Sequence, residues 1–166
     1  YGGSFFAWLH ASRPHPYGSW SNGSAMRAPP IGWARSGLAL LEEAKLSAEI
    51  THDHPDGIKG AQAVAWAVCM ARSGSTSEEM RVDLAHRFGY DLFRLVEQVR
   101  PHHTFQTTCI ETVPEAIICA LEANSVEDAV RLAVSLGGNA GTLAAIAGAV
   151  AEARFGFPPE HEQEVL

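Results

Sequence analysis

Ser47-Ala48-Glu49-Ile50-Thr51-His52-Asp53-His54-Pro55-Asp56-Gly57-Ile58-Lys59-Gly60-Ala61 is the stretch whose reading settles the fold class. Upstream of the break, Leu41, Ala44, Leu46 and Ala48 fall near helical spacing with Glu42 and Glu43 on the other face, so residues 38–50 read as an amphipathic helix. Downstream, Pro55 suits a first helical turn, where its missing N–H costs nothing. Ile58, Ala61, Ala65 and Cys69 then follow one face until about Arg72. The segment specifies two helices joined by the polar break 51–54.

The same punctuation continues toward the C-terminus. Thr76-Ser77-Glu78-Glu79 fits a capping box, Met80, Leu84 and Phe88 recur every four residues, and Gly89 ends that helix. Residues 100–111, with Pro101, His102, His103 and Thr104, hold no sustained period and read as a long loop. Thr112 to Glu115 repeats the capping pattern ahead of a helix at about 114–123. Ser125 and Asp128 open another at about 125–136, which Gly137-Gly138 closes. A last helix spans about 142–154, and its run of Ala and Gly permits close packing to neighbours. Toward the N-terminus only residues 4–10 look helical, and 17–33 read as irregular. No strand ladder and no internal repeat is visible, so the expectation is an all-α fold in one domain, 1–166.

Composition narrows the function. In 166 residues, 46% are hydrophobic and 19% charged, ordinary for a globular chain. A net charge of -7 argues against duplex nucleic acid as a partner, because that binding draws on clustered Lys and Arg. One small phosphorylated ligand stays possible, since backbone amides supply local positive potential. Cys69, Cys109 and Cys119 show no paired spacing and read as buried free thiols. With no run of about 18 apolar residues and no basic-then-apolar leader, no membrane role is expected and a cytoplasmic location is.

Three segments have the composition of a binding site. Ser21-Asn22-Gly23-Ser24-Ala25-Met26-Arg27 combines small residues, which admit a ligand to the backbone, with Arg27, a bidentate partner for phosphate or carboxylate. Read alone, it is equally a glycine-serine turn with a solvated arginine. Thr51-His52-Asp53-His54-Pro55-Asp56-Gly57 sets two imidazoles and two carboxylates at a helix start, as ligand contacts or as plain caps. Gly137-Gly138-Asn139-Ala140-Gly141-Thr142 offers backbone amides before a helix, with Asn139 or Thr142 as caps. The remaining histidines, His10, His15, His86, His102, His103 and His161, are scattered and read as surface residues.

In this order and spacing, these segments resemble the ADP-ribosylglycohydrolase family, which includes the dinitrogenase reductase-activating glycohydrolases. The likeness is carried by Tyr17-Gly18, Asn22 to Arg27, Pro30-Ile31-Gly32-Trp33, Ser47 to His52, Ile58 to Ala63, Phe88-Gly89-Tyr90, Val113 to Ile117 and Leu143 to Gly148. The resemblance implies an orthogonal multi-helix bundle that forms part of that family's fold. It also implies hydrolysis of the bond between ADP-ribose and a modified side chain, with two magnesium or manganese ions in a cleft. Asn22, Gly23, Ser24, Met26 and Arg27 would then line the ribose and diphosphate site, with His54 beside it.

Two departures bear on activity. The family's first acidic motif, of the Thr-Asp-Asp-Thr kind, has no counterpart, for no Asp or Glu precedes Glu42; the expectation is an N-terminally truncated form. The second, Gly-Gly-Asp-x-Asp-Thr, reads here Gly137-Gly138-Asn139-Ala140-Gly141-Thr142. Asn139 and Gly141 replace both carboxylates, and only Thr142 keeps its ligand oxygen. Hard dications need carboxylate oxygens for charge and geometry, so this chain is expected to hold no metal cofactor and to carry no catalytic residue. The expectation is a catalytically impaired binder of ADP-ribose or a related nucleotide. The alternatives are a magnesium-dependent hydrolase completed by a partner chain, and a structural oligomer without ligand. A homo-oligomer is expected through apolar surface left by Trp8, Trp20, Trp33 and the helix at 142–154.

Overall fold

The structure is a computed structural model that describes residues 2–157; His161 lies outside them. In chain order the helices are α1 (Gly3–Leu9), α2 (Gly23–Met26), α3 (Pro29–Ala34), α4 (Gly37–Glu49), α5 (Pro55–Arg72), α6 (Ser77–Phe88), α7 (Val96–Val99), α8 (Cys109–Glu122), α9 (Val126–Ser135) and α10 (Ala140–Phe155). A 3-10 turn, Arg100–His102, follows α7. The only extended pairing among the described residues is an isolated antiparallel bridge between Ser21 and Thr108.

Helix α5 is the hub. It packs against α2, α3, α4, α6, α8 and α10. Its buried residues, among them Ala61, Ala63, Val64, Ala65, Ala67 and Val68, lie all around the axis rather than along one stripe. Small side chains let several helices approach the same axis. Around it Leu40, Met80, Leu84, Leu92, Ile117, Ile118, Leu143 and Ile146 are fully buried, each contributing roughly 1.5–3 kcal/mol of transfer free energy.

Local chemistry places the ends of these helices. Thr76 accepts from the Glu79 backbone N–H at 3.3 Å while Glu79 Oε2 accepts from the Thr76 N–H at 2.8 Å, and Gly89 adopts the left-handed conformation at φ 69° that terminates α6. Ser125 caps α9 through the Asp128 N–H at 3.0 Å. Arginines satisfy carbonyls at other termini. Arg72 Nε donates to Gly32 O at 2.7 Å, and Arg154 donates to the carbonyls of Ala120 and Ala123.

Four expectations change. Residues 17–33 are not wholly irregular, since α2 and α3 form within them. These helices are too short to show a period and are held by burying Ser24, Ala25 and Gly32. Helix α7 and its 3-10 turn likewise occupy 96–102. Helix α8 begins at Cys109, a turn before the expected start, so Thr112 is not a cap: it is buried inside the helix and accepts from Asn22 Nδ2 at 3.0 Å. The Cys109 N–H, bonded to Trp20 O at 3.0 Å, anchors the extra turn, and Pro114 sits inside the helix. Finally, α10 is not a largely uncovered helix. It packs on α9, α8 and α5 and buries Leu143, Ile146, Ala147, Val150, Ala151 and Ala153.

Candidate functional site

The segment 17–22 leads into α2 and is stitched to the chain ahead of α8. Asn22 N–H donates to Thr107 O at 2.8 Å, and Cys109 Sγ donates to Ser21 O at 3.2 Å. On its other side it lies against the start of α5. A Cβ on Gly57 would come within 2.8 Å of Ser19 O and 3.1 Å of His52 Cβ, so only glycine lets the segment approach this closely.

A cavity of about 600 Å³ opens here, lined by the first residues of α1, by Tyr17 to Gly23, and by Arg27, His52 and Thr107. That volume falls within the roughly 300–1,000 Å³ of small-molecule sites. Its wall is a chain of hydrogen bonds: Ser19 Oγ to Ser21 Oγ at 2.8 Å, Ser21 Oγ to His52 Nε2 at 3.1 Å, His52 Nδ1 to Thr51 Oγ1 at 2.7 Å. Arg27 completes it by donating to Thr51 Oγ1 at 3.0 Å and to the Ser47 and Ala48 carbonyls at 2.8 and 3.3 Å, which closes the C-terminus of α4. Burial holds the His52 imidazole down at about 4, the Arg27 charge adds to this, and Asp53 opposes it. His52 is therefore the neutral base at ordinary pH. Asp53 itself accepts from the Gly18 N–H at 2.6 Å.

The residues singled out in the sequence divide among three places. Asn22, Gly23 and Arg27 line the cavity. Ser24 is buried beneath it, its hydroxyl donating to Gly57 O at 2.8 Å. Met26 lies toward α10, where its sulfur accepts from Thr142 Oγ1 at 3.4 Å. His54 is the N-cap of α5, accepting from the Asp56 N–H at 3.2 Å with the Trp20 ring against its own at 5.6 Å. The imidazole in the cavity wall is that of His52. The polar-break motif held both histidines, and what separates them is the cap position before Pro55, which occupies His54. Ser21 opens the glycine-serine segment and Tyr17 belongs to the stretch that carries the family likeness, whereas Ser19 and Thr107 have no signal in the sequence.

At the start of α10, Asn139 holds the N-cap position without a side-chain capping bond, Gly141 is exposed and Thr142 is buried against Met26. Among the described residues no group of three His, Cys, Asp or Glu side chains is gathered closely enough to hold a metal ion. An amide, a hydroxyl and a thioether do not fit a pair of hard dications, which take charged oxygen ligands. Two other hollows differ in kind. An apolar groove runs along Val126, Val130 and Val134 of α9, and a polar recess lies beside His103 and Glu115, whose side chains pair through Nδ1 and Oε2.

An all-α fold with a cavity of mixed polar and aromatic lining just ahead of its central helix is the class these features define. The chain belongs to the ADP-ribosylglycohydrolase family, whose sequence profile matches residues 2–160. The human ADP-ribosylhydrolase ARH3 is 29% identical over 195 aligned positions, covering 89% of this chain and 54% of the human protein. An uncharacterized protein of Archaeoglobus fulgidus is 32% identical, with 87% of this chain and 52% of that protein covered. The chain thus spans about half the length of these relatives. A solved structure described as an ADP-ribosylglycohydrolase-related protein complex superposes with a TM-score of 0.73 at 22% identity, covering 94% of this chain and 59% of that one, which establishes the shared fold.

Proposed function

We propose that this domain binds ADP-ribose or a closely related nucleotide in the cavity walled by Tyr17 to Gly23, Arg27 and His52, without metal-dependent hydrolysis by its own residues. The observation that carries this reading is the pairing of a cavity at the family's glycine-serine segment with a carboxylate-free start of α10. Asn22 and Gly23 bring backbone to the cavity, and Ser19 and Ser21 supply hydroxyls suited to ribose. Arg27 contributes positive potential at the edge while its guanidinium is engaged by α4. No helix among the described residues is long and apolar enough to cross a membrane.

Isothermal titration with ADP-ribose, with and without magnesium, tests it. Binding of equal strength in both buffers, with no release of free ADP-ribose from a modified protein, is the expected result. Affinity or release that appears only with magnesium would instead support a metal-dependent hydrolase, and no binding at millimolar ligand would leave a structural role. A second reading, self-association, is favoured by Trp20 and Trp33, which stand 54% and 49% exposed on one chain. Sedimentation at several concentrations tests it, a monomer throughout counting against it.

A further inference from the structure

The hydrogen-bond chain in the cavity wall has the connectivity of a nucleophile and its base. Ser21 Oγ lies 3.1 Å from His52 Nε2, and His52 Nδ1 lies 2.7 Å from Thr51 Oγ1. Thr51 Oγ1 also accepts from Arg27. A ring whose Nδ1–H donates to Thr51 leaves Nε2 as the acceptor for the Ser21 hydroxyl, and Ser19 Oγ lies within hydrogen-bond reach of Ser21 Oγ at 2.8 Å. Both Ser21 and His52 line the cavity. Gly23 keeps Nε2 approachable, because a Cβ there would sit 3.3 Å from that atom.

We infer that Ser21 and His52 form a metal-independent acyl-transfer pair, acting on small esters with good leaving groups, with Thr51 as the positioning residue for the imidazole. This inference is separate from ADP-ribose binding and does not need it. Ser21 Oγ attacks the ester carbonyl carbon and its proton passes to His52 Nε2. The tetrahedral adduct collapses, the carbon–oxygen bond to the alcohol breaks, and the leaving oxygen keeps the bonding pair and takes the proton from Nε2. Water then attacks the acyl-serine by the same route, releasing the carboxylic acid and restoring Ser21. The burial that, together with the Arg27 charge, keeps the imidazole neutral also makes the transient imidazolium costly. That restricts the pair to activated esters.

The test is labelling with a fluorophosphonate and turnover of p-nitrophenyl acetate, with adducts mapped by mass spectrometry. The expected result is an adduct on Ser21, absent in Ser21→Ala and formed about 10²-fold or more slowly in His52→Gln, the usual size of a general-base contribution. Thr51→Val should also slow labelling. Because His52→Gln could alter the fold, the pH profile of the unmodified protein is the second arm. Assistance by a neutral imidazole gives a rate that rises through about pH 4 and is flat to pH 8. A rate that climbs tenfold per pH unit across pH 6–8, labelling of Ser21 at an unchanged rate in His52→Gln, or no adduct on Ser21 overturns the inference.

Discussion

His52 ties the cavity to the stability of the fold. Its folded value of about 4 lies below the ordinary 6.5, so between those values the unfolded chain binds the additional proton. Stability is therefore full above about pH 6.5, falls as the pH drops toward 4 and levels off below it, with a total loss of up to about 3 kcal/mol. Chemical denaturation at pH 7.5, 5.5 and 4.5 checks this, and His52→Gln should flatten the dependence in that window. Arg27 is coupled to the same group, because its charge is the second cause of the depression. Arg27→Gln should raise the His52 titration midpoint seen by NMR, while removing the charge-assisted bonds that close α4 costs about 1.5–3 kcal/mol. Such coupling was only half legible in the sequence. Residues 51–54 announce two imidazoles, but the choice of His52 over His54 depends on which of them the helix start at Pro55 consumes as a cap, a matter of one residue in a boundary. The place of Ser24 in the segment suggests a ligand contact. Its burial against Gly57 O makes it a fastener, and Ser24→Ala should lower stability by about 0.5–1.5 kcal/mol by removing that hydrogen bond.

At the level of elements, helices with strong local signals were read closely from the sequence: α4, α5, α6 and α9 begin and end within a residue or so of their caps. Thr76→Ala should cost α6 about 1 kcal/mol in thermal unfolding, since it removes one half of a reciprocal cap. The elements that escaped sequence reading are those set by tertiary contact. Helices α2 and α3 are too short to display a period. The first turn of α8 exists because the Trp20 carbonyl receives the Cys109 N–H and Asn22 reaches Thr112. Those same contacts build the cavity, so the site was legible as a composition and not as a shape. Gly57→Ala probes this directly: the added methyl meets Ser19 O, and the 17–22 segment must withdraw from α5. The expected outcome is weakened ligand binding with most of the helix content retained, measured by titration and circular dichroism.

Across the whole molecule, α5 holds the cavity wall and the core in one unit. A large-to-small change at Leu143, fully buried in α10, should therefore cost about 2–5 kcal/mol and leave the cavity residues' chemistry untouched. Helices α1 to α10 share the family's fold over 59% of the solved relative, and the head of α10 carries Asn139, Gly141 and Thr142. Where a nucleotide binds distinguishes a ligand-binding fold from a purely structural one. An amide-resolved NMR titration of the isotope-labelled protein with ADP-ribose, without metal, reads that location residue by residue. The predicted result is saturable shifts confined to 17–23, Arg27, Thr51, His52 and Thr107; the contradicting result is no shift at millimolar ligand, or shifts gathered around Val126, Val130 and Val134 instead.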